Sequence, residues 1–113
     1  MSASVYKVNG TGAAALATSM TVPAGDTYRL VSVSCKFSAA PTTSQNYTIT
    51  LNANAGAAYD VLLYTVDPSA TSITTMLWQP DEPLYLVGGD AIDVAYTNTD
   101  TRTYGVQITV EGV

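Results

Sequence analysis

The sequence predicts an all-β domain: an antiparallel β-sandwich, jelly-roll-like, with eight to nine short strands. Three observations lead there. Apolar and polar residues alternate with a period of two almost from end to end, the pattern of strands with one face in a core and one outside. Clusters of Gly, Pro, Asn and Asp interrupt the alternation at short intervals, as in sandwiches and barrels. No segment shows a convincing helical period of 3.6 residues. The 113 residues suit one domain, 1–113. Folding a chain of that size buries roughly two-thirds of the surface its unfolded form exposes.

Taken in order, Asn9-Gly10-Thr11-Gly12 reads as a turn. The Ala-rich Gly12–Ala17 is the one place for a short helical turn. Leu16, Met20 and Val22 share a parity, with Ala17, Ser19 and Thr21 opposite, so a strand runs here into the turn Pro23-Ala24-Gly25-Asp26. The next strand changes phase. Tyr28 and Leu30 lie on one parity and Val31, Val33, Cys35 and Phe37 on the other, so a β-bulge or a change of sheet is expected at Leu30–Val31. After Ala40-Pro41-Thr42-Thr43, Tyr47, Ile49 and Leu51 alternate with Thr48 and Thr50 up to Asn54-Ala55-Gly56. The run Tyr59–Val66 is apolar on both parities and stops at Asp67-Pro68-Ser69. Ile73, Met76, Leu77 and Trp78 are two-sided in the same way.

The stretch from Trp78 to Tyr96 then reads as strand end, proline-bracketed turn, strand from Leu84, a Gly88-Gly89-Asp90 turn, and a strand in which Ile92, Val94 and Tyr96 point inward. A polar loop over 97–103 leads to the last strand, with Tyr104, Val106, Ile108 and Val110 inward. Met20–Leu30 and Leu84–Val94 echo one another: paired apolar residues at spacing two, a turn ending Gly-Asp, and two more apolar residues. Shared turn chemistry explains the echo better than a duplication.

Composition narrows the function. Charged residues make up 12% of the chain, against about 25% in an ordinary soluble domain, and 17 Thr and 9 Ser take their place. Thr suits outer strand faces, and a surface so poor in charge also suits a domain that hides area in an assembly. The net charge of −5, with Lys7, Arg29, Lys36 and Arg102 scattered, opposes nucleic-acid binding. No apolar run approaches the ~18 residues of a membrane span. Met1–Ser4 has no basic segment leading into an apolar run, so no secretory signal is expected, and the sequons at Asn9 and Asn46 carry no meaning without one. With no histidine, the commonest general base and zinc ligand is missing. The single cysteine, Cys35, excludes an internal disulfide and sits on an inward parity.

The acids are the obvious candidates for chemistry. Asp81 and Glu82 are adjacent between two prolines, Asp90 closes a Gly-Gly turn, and Asp93 lies on a polar parity. Turn and surface carboxylates account for all four, and no catalytic, cofactor or metal residue is assigned. Calcium would require Asp67, Asp81, Glu82, Asp90 and Asp100 to converge at one end of the sandwich. Among the aromatics, Tyr28, Tyr47, Tyr96 and Tyr104 fall on apolar parities, while Tyr6, Tyr59, Tyr64, Trp78 and Tyr85 are freer to form a sugar-stacking platform. A strand apolar on both faces must cover the second with a loop of its own chain or a neighbouring subunit. The candidate contact residues are therefore Val61, Leu63, Tyr64, Leu77 and Trp78.

With its phrases TVPAGDTYRLVSVSCKFS and EPLYLVGGDAIDVAYTN, its length and its Thr/Ser/Ala-rich strands, the chain resembles the small β-sandwich structural proteins of tailed-phage virions, the capsid decoration (cement) proteins and related head or tail accessory proteins. The resemblance covers most of the chain. It implies a non-enzymatic protein of the virion, assembled in the host cytoplasm. It further implies a homo-oligomer, commonly a trimer, bound to the major capsid protein or another virion part without a cofactor. The alternative expectation, from another class, is a carbohydrate-binding β-sandwich module.

Overall fold

The computed structural model describes residues 5–113. Nine strands follow one another: β1 (Val5–Gly12), β2 (Leu16–Thr21), β3 (Thr27–Phe37), β4 (Tyr47–Asn52), β5 (Val61–Val66), β6 (Thr75–Trp78), β7 (Leu84–Val87), β8 (Ala91–Tyr96) and β9 (Tyr104–Gly112). They form two antiparallel sheets. One has the order β1-β9-β3-β6, with β7 also paired to β3; the other has the order β2-β8-β4-β5. Successive strands cross repeatedly from one sheet to the other, and β6 and β7 share a single edge position along β3. That leaves four strand positions in each sheet, the arrangement of a jelly roll.

The inward parities meet between the sheets. Leu30, Val33, Cys35 and Phe37 of β3 and Val106, Ile108 and Val110 of β9 pack on Leu16 and Met20 of β2, Ile49 of β4 and Ile92 and Val94 of β8, all buried. The phase change in β3 is a bulge: register with β9 slips between Leu30 and Ser32, so Val31 is the extra residue and both halves keep their apolar side inward. The edge opposite this bulge is broken too. β6 ends with Trp78 opposite Val33 and β7 begins with Leu84 opposite Leu30, so residues 79–83 loop out of the ladder. Pro80 and Pro83 suit an edge, where an absent N–H costs no interior ladder bond.

Two readings of the N-terminal region are corrected. Asn9–Gly12 is the second half of β1, paired with Tyr104–Gln107 of β9, and not a turn. Its glycines answer to close packing: a Cβ on Gly10 would run into Thr18 of β2 and Val106, and one on Gly12 would crowd the Tyr104 hydroxyl. Residues 12–17 hold no helical turn, since bends at 13–14 lead directly into β2. The short 3₁₀ turn lies instead at Ala57–Tyr59, which moves the start of the following strand from Tyr59 to Val61.

The two echoing segments are neighbours. β2 pairs with β8 while β3 pairs with β7, so each segment crosses between sheets alongside the other. Their turns interlock, Val22 N donating to the Asp90 carbonyl and Gly89 N to the Val22 carbonyl, each at 2.9 Å. Gly88 has no room for a Cβ, which would lie 2.9 Å from both Gly25 N and the Pro23 carbonyl oxygen.

Candidate functional site

The carboxylates fall into separate places with separate duties. At the end of the sandwich where β3, β5 and β8 finish, Asp100 accepts from Thr42 N (2.7 Å), Thr43 N (2.8 Å) and the Thr43 hydroxyl (2.6 Å). The hydrogen bond from the Thr43 side chain, then those from the Thr43 and Thr42 backbones, lowers its pKa to about 2. Nearby, Asp67 accepts from the hydroxyls of Ser44 and Ser69 and from Ser69 N, and those bonds lower its pKa too, the Ser44 bond most. These two acids tie the 38–46, 67–74 and 97–103 loops together. Asn98, buried and at φ 57°, helps by donating to the carbonyls of Ala14 and Arg102.

At the opposite end, Asp90 accepts from Val87 N (3.0 Å), within its own turn, and from Asn54 N (2.9 Å). Asp93 accepts from the Ser19 hydroxyl at 2.6 Å on the outer face of β8. Asp81 and Glu82 stand apart from all of these. They are exposed on the 79–83 excursion and line a depression of about 240 Å³ with Arg29, Val31, Pro80 and Pro83. Among the described residues no three His, Cys, Asp or Glu side chains converge. The five acids that a calcium site would need are thus spread over both ends and one edge of the sandwich.

The sequence-predicted contact residues are not brought together. Leu63, Tyr64 and Trp78 pack against the core, whereas Val61 is exposed on the β5 edge and Leu77 is 67% exposed on the outer face of β6. A second bulge explains the two-faced strand. Ile49 pairs with Tyr64 and Thr50 with Leu62, so Leu63 is the extra residue, and it and Tyr64 both reach the core. Trp78 stacks on Tyr64 with ring centroids 6.2 Å apart, and Tyr64 meets Tyr47 edge-on at 6.5 Å. Those rings close the open side of the sandwich between the β5 and β6 edges.

Of the apolar residues that the fold leaves exposed elsewhere, sequence reasoning singled out Tyr85, as one of the freer aromatics, but not the others. Besides Leu62 on β5, Val5 (60%), Tyr85 (57%) and Val87 (56%) stand on the outer face of the β1-β9-β3-β7 sheet, and Val113 (62%) is exposed just after β9. The remaining freer tyrosines are scattered. Tyr6 stacks on Tyr28 at 5.4 Å on the inner side of that sheet, and Tyr59 stands in the loop after β4. Burial pushes the Cys35 thiol up to about 12, which leaves it protonated and unreactive at neutral pH. The hydroxyls of Tyr47 and Tyr96 are buried without a hydrogen-bond partner among the described residues, and burial raises both pKa values.

No protein-family model matches the chain, and no curated protein matches it. Among solved structures, the crystal structure of FLHE is similar at 9% identity and a TM-score of 0.39, over 99% of this chain and 98% of that one.

Proposed function

We propose that the chain is a non-enzymatic structural protein of a tailed-phage virion, a capsid decoration or related accessory protein that self-associates and docks on the larger assembly. The observation that carries this reading is the distribution of exposed apolar side chains on a surface poor in charge. Val5, Tyr85, Val87 and Leu77 lie on one outer sheet face and Val61 and Leu62 on a free edge, where a lone domain gains nothing by exposing them. The division of labour among the acids supports it as well. Asp67, Asp90 and Asp100 are engaged with loop backbones, a structural duty. In the second reading, a carbohydrate-binding module, a sugar would stack across several exposed rings in one plane. Tyr6, Tyr59 and Tyr85 stand on an inner face, in a loop and on an outer face, which favours the structural role.

The test is to locate the genes beside this one and to co-sediment the purified chain with particles of the capsid protein they encode. Saturable pelleting with the particles is expected. A neighbourhood without capsid, portal or tail genes, together with no pelleting, overturns the reading, and specific hits on a glycan array favour the alternative.

A further inference from the structure

The outer face of the β1-β9-β3-β7 sheet carries a self-complementary pattern. One cross-strand row runs Val5, Glu111, Arg29, Tyr85, each residue directly opposite the next in register. Arg29 and Glu111 are paired at 3.3 Å with about a third of each side chain exposed (33% and 32%). The row therefore reads apolar, acid, base, apolar. A two-fold axis lying along the strands between β9 and β3 reverses it. Val5 of each copy then lies over Tyr85 of the other, and Arg29 over Glu111.

The next row extends the match. Lys7 on β1 stands beside Thr109 and then Ser32, and the far edge of that row is the 79–83 excursion with exposed Asp81 and Glu82. The same axis sets Lys7 of each copy against that acidic excursion. Four strands about 4.8 Å apart and about nine residues long at ~3.3 Å each give a face of roughly 19 by 30 Å. That footprint, roughly 570 Å², is near the lower limit of a specific interface, about 600 Å² per partner, and below the standard size of about 800 Å².

We infer that this face is a two-fold contact with a second copy of the chain, keyed by Arg29 and Glu111 and flanked by Val5 and Tyr85. An isologous contact needs one patch that complements itself, and opposed charges fix its register while rejecting the unreversed alternative. The inference rests on the reading that the chain self-associates, and it names the surface.

Sedimentation velocity on the whole chain, from about 1 to about 500 µM, tests both. The wild type passes from monomer to dimer over that range. Arg29→Glu and Glu111→Arg each weaken the dimer at least tenfold. Mixing the two single variants restores it, because each supplies the charge that the other lacks across the axis. Neither regains its own internal ion pair in the mixture, so a merely structural role for that pair predicts no recovery. Should circular dichroism show either reversal unfolded, Tyr85→Ser, at an exposed outer position, carries the test with the same tenfold loss. A wild type that stays monomeric throughout overturns both the inference and the self-association reading. An oligomer that survives both reversals, or is lost only in Leu62→Ser, overturns this face and leaves self-association standing through another surface.

Discussion

Gly10→Ala tests how the β1 and β2 edges close one side of the sandwich. Gly10 lies on the inner parity of β1 and faces Thr18 on the inner parity of β2. An added Cβ would lie 3.0 Å from Val106 Cγ1 and 3.2 Å from Thr18 Cγ2, and closer still to Thr18 Oγ1. Overpacking of this kind costs about 1–3 kcal/mol. Alanine returns about 0.4–1 kcal/mol by restricting the unfolded chain. The net expectation is a loss of about 1–2 kcal/mol, a fall in Tm of roughly 5–10 °C for a domain of this size. Thr18→Ala removes both obstructing atoms of the half-buried Thr18 and alone costs under about 1 kcal/mol. The double variant then recovers at least about 1 kcal/mol relative to additivity. Urea titration and calorimetry on the four proteins measure the cycle. Gly10→Ala as stable as the wild type, or effects that add to within about 0.3 kcal/mol, would refute the close approach and return Gly10 to an ordinary open turn.

Three further outcomes are expected. Trp78→Ala loses the Tyr64 stack and part of the core, costing about 2–3 kcal/mol, below the range for a fully buried Trp, whereas Leu77→Ser on the neighbouring outer position stays within about 0.5 kcal/mol; urea midpoints separate the two. Asp100 has a folded pKa near 2, below its unfolded value of about 3.9. The unfolded chain therefore binds the extra proton first, and the stability Asp100 contributes is complete above about pH 5 and is lost as pH falls towards 2. The gap in urea midpoint between the wild type and Asp100→Asn narrows over that window, and a constant gap contradicts the loop-tying role. Cys35 is buried with a raised pKa, so a disulfide reagent at pH 8 modifies it only on unfolding, and rapid native labelling would show that the core opens there.

The alternation of Ile92, Val94 and Tyr96 and of Tyr104 to Val110 exposed the strands directly, because a period of two survives any choice of partner. The phase slip at Leu30–Val31 located the bulge for the same reason. Asn9–Gly12 misled because glycine serves both turns and tight packing, and what distinguishes them is Thr18 and Val106, contacts between strands that the local sequence does not contain. The two-faced β5 run was legible as an oddity, but the extra Leu63 that resolves it is defined only against β4. The row Val5, Glu111, Arg29, Tyr85 was invisible for a stronger reason. Its members come from four strands, and their adjacency exists only once the jelly-roll order is known.

The place of β9 has a consequence for how the molecule is made. It lies second in its sheet, between β1 and β3, so the ribosome delivers two flanking strands long before the one that joins them. Until residues 104–112 emerge, β1 has no ladder partner and β3 shows an unpaired side. Synthesis at about 5–20 residues per second keeps that gap open for several seconds. Over that interval the apolar inner faces of β1 and β3 are open to the wrong chain. Productive folding is therefore a late, nearly all-at-once event, and slow decoding of the codons for β9 would lengthen the time at risk.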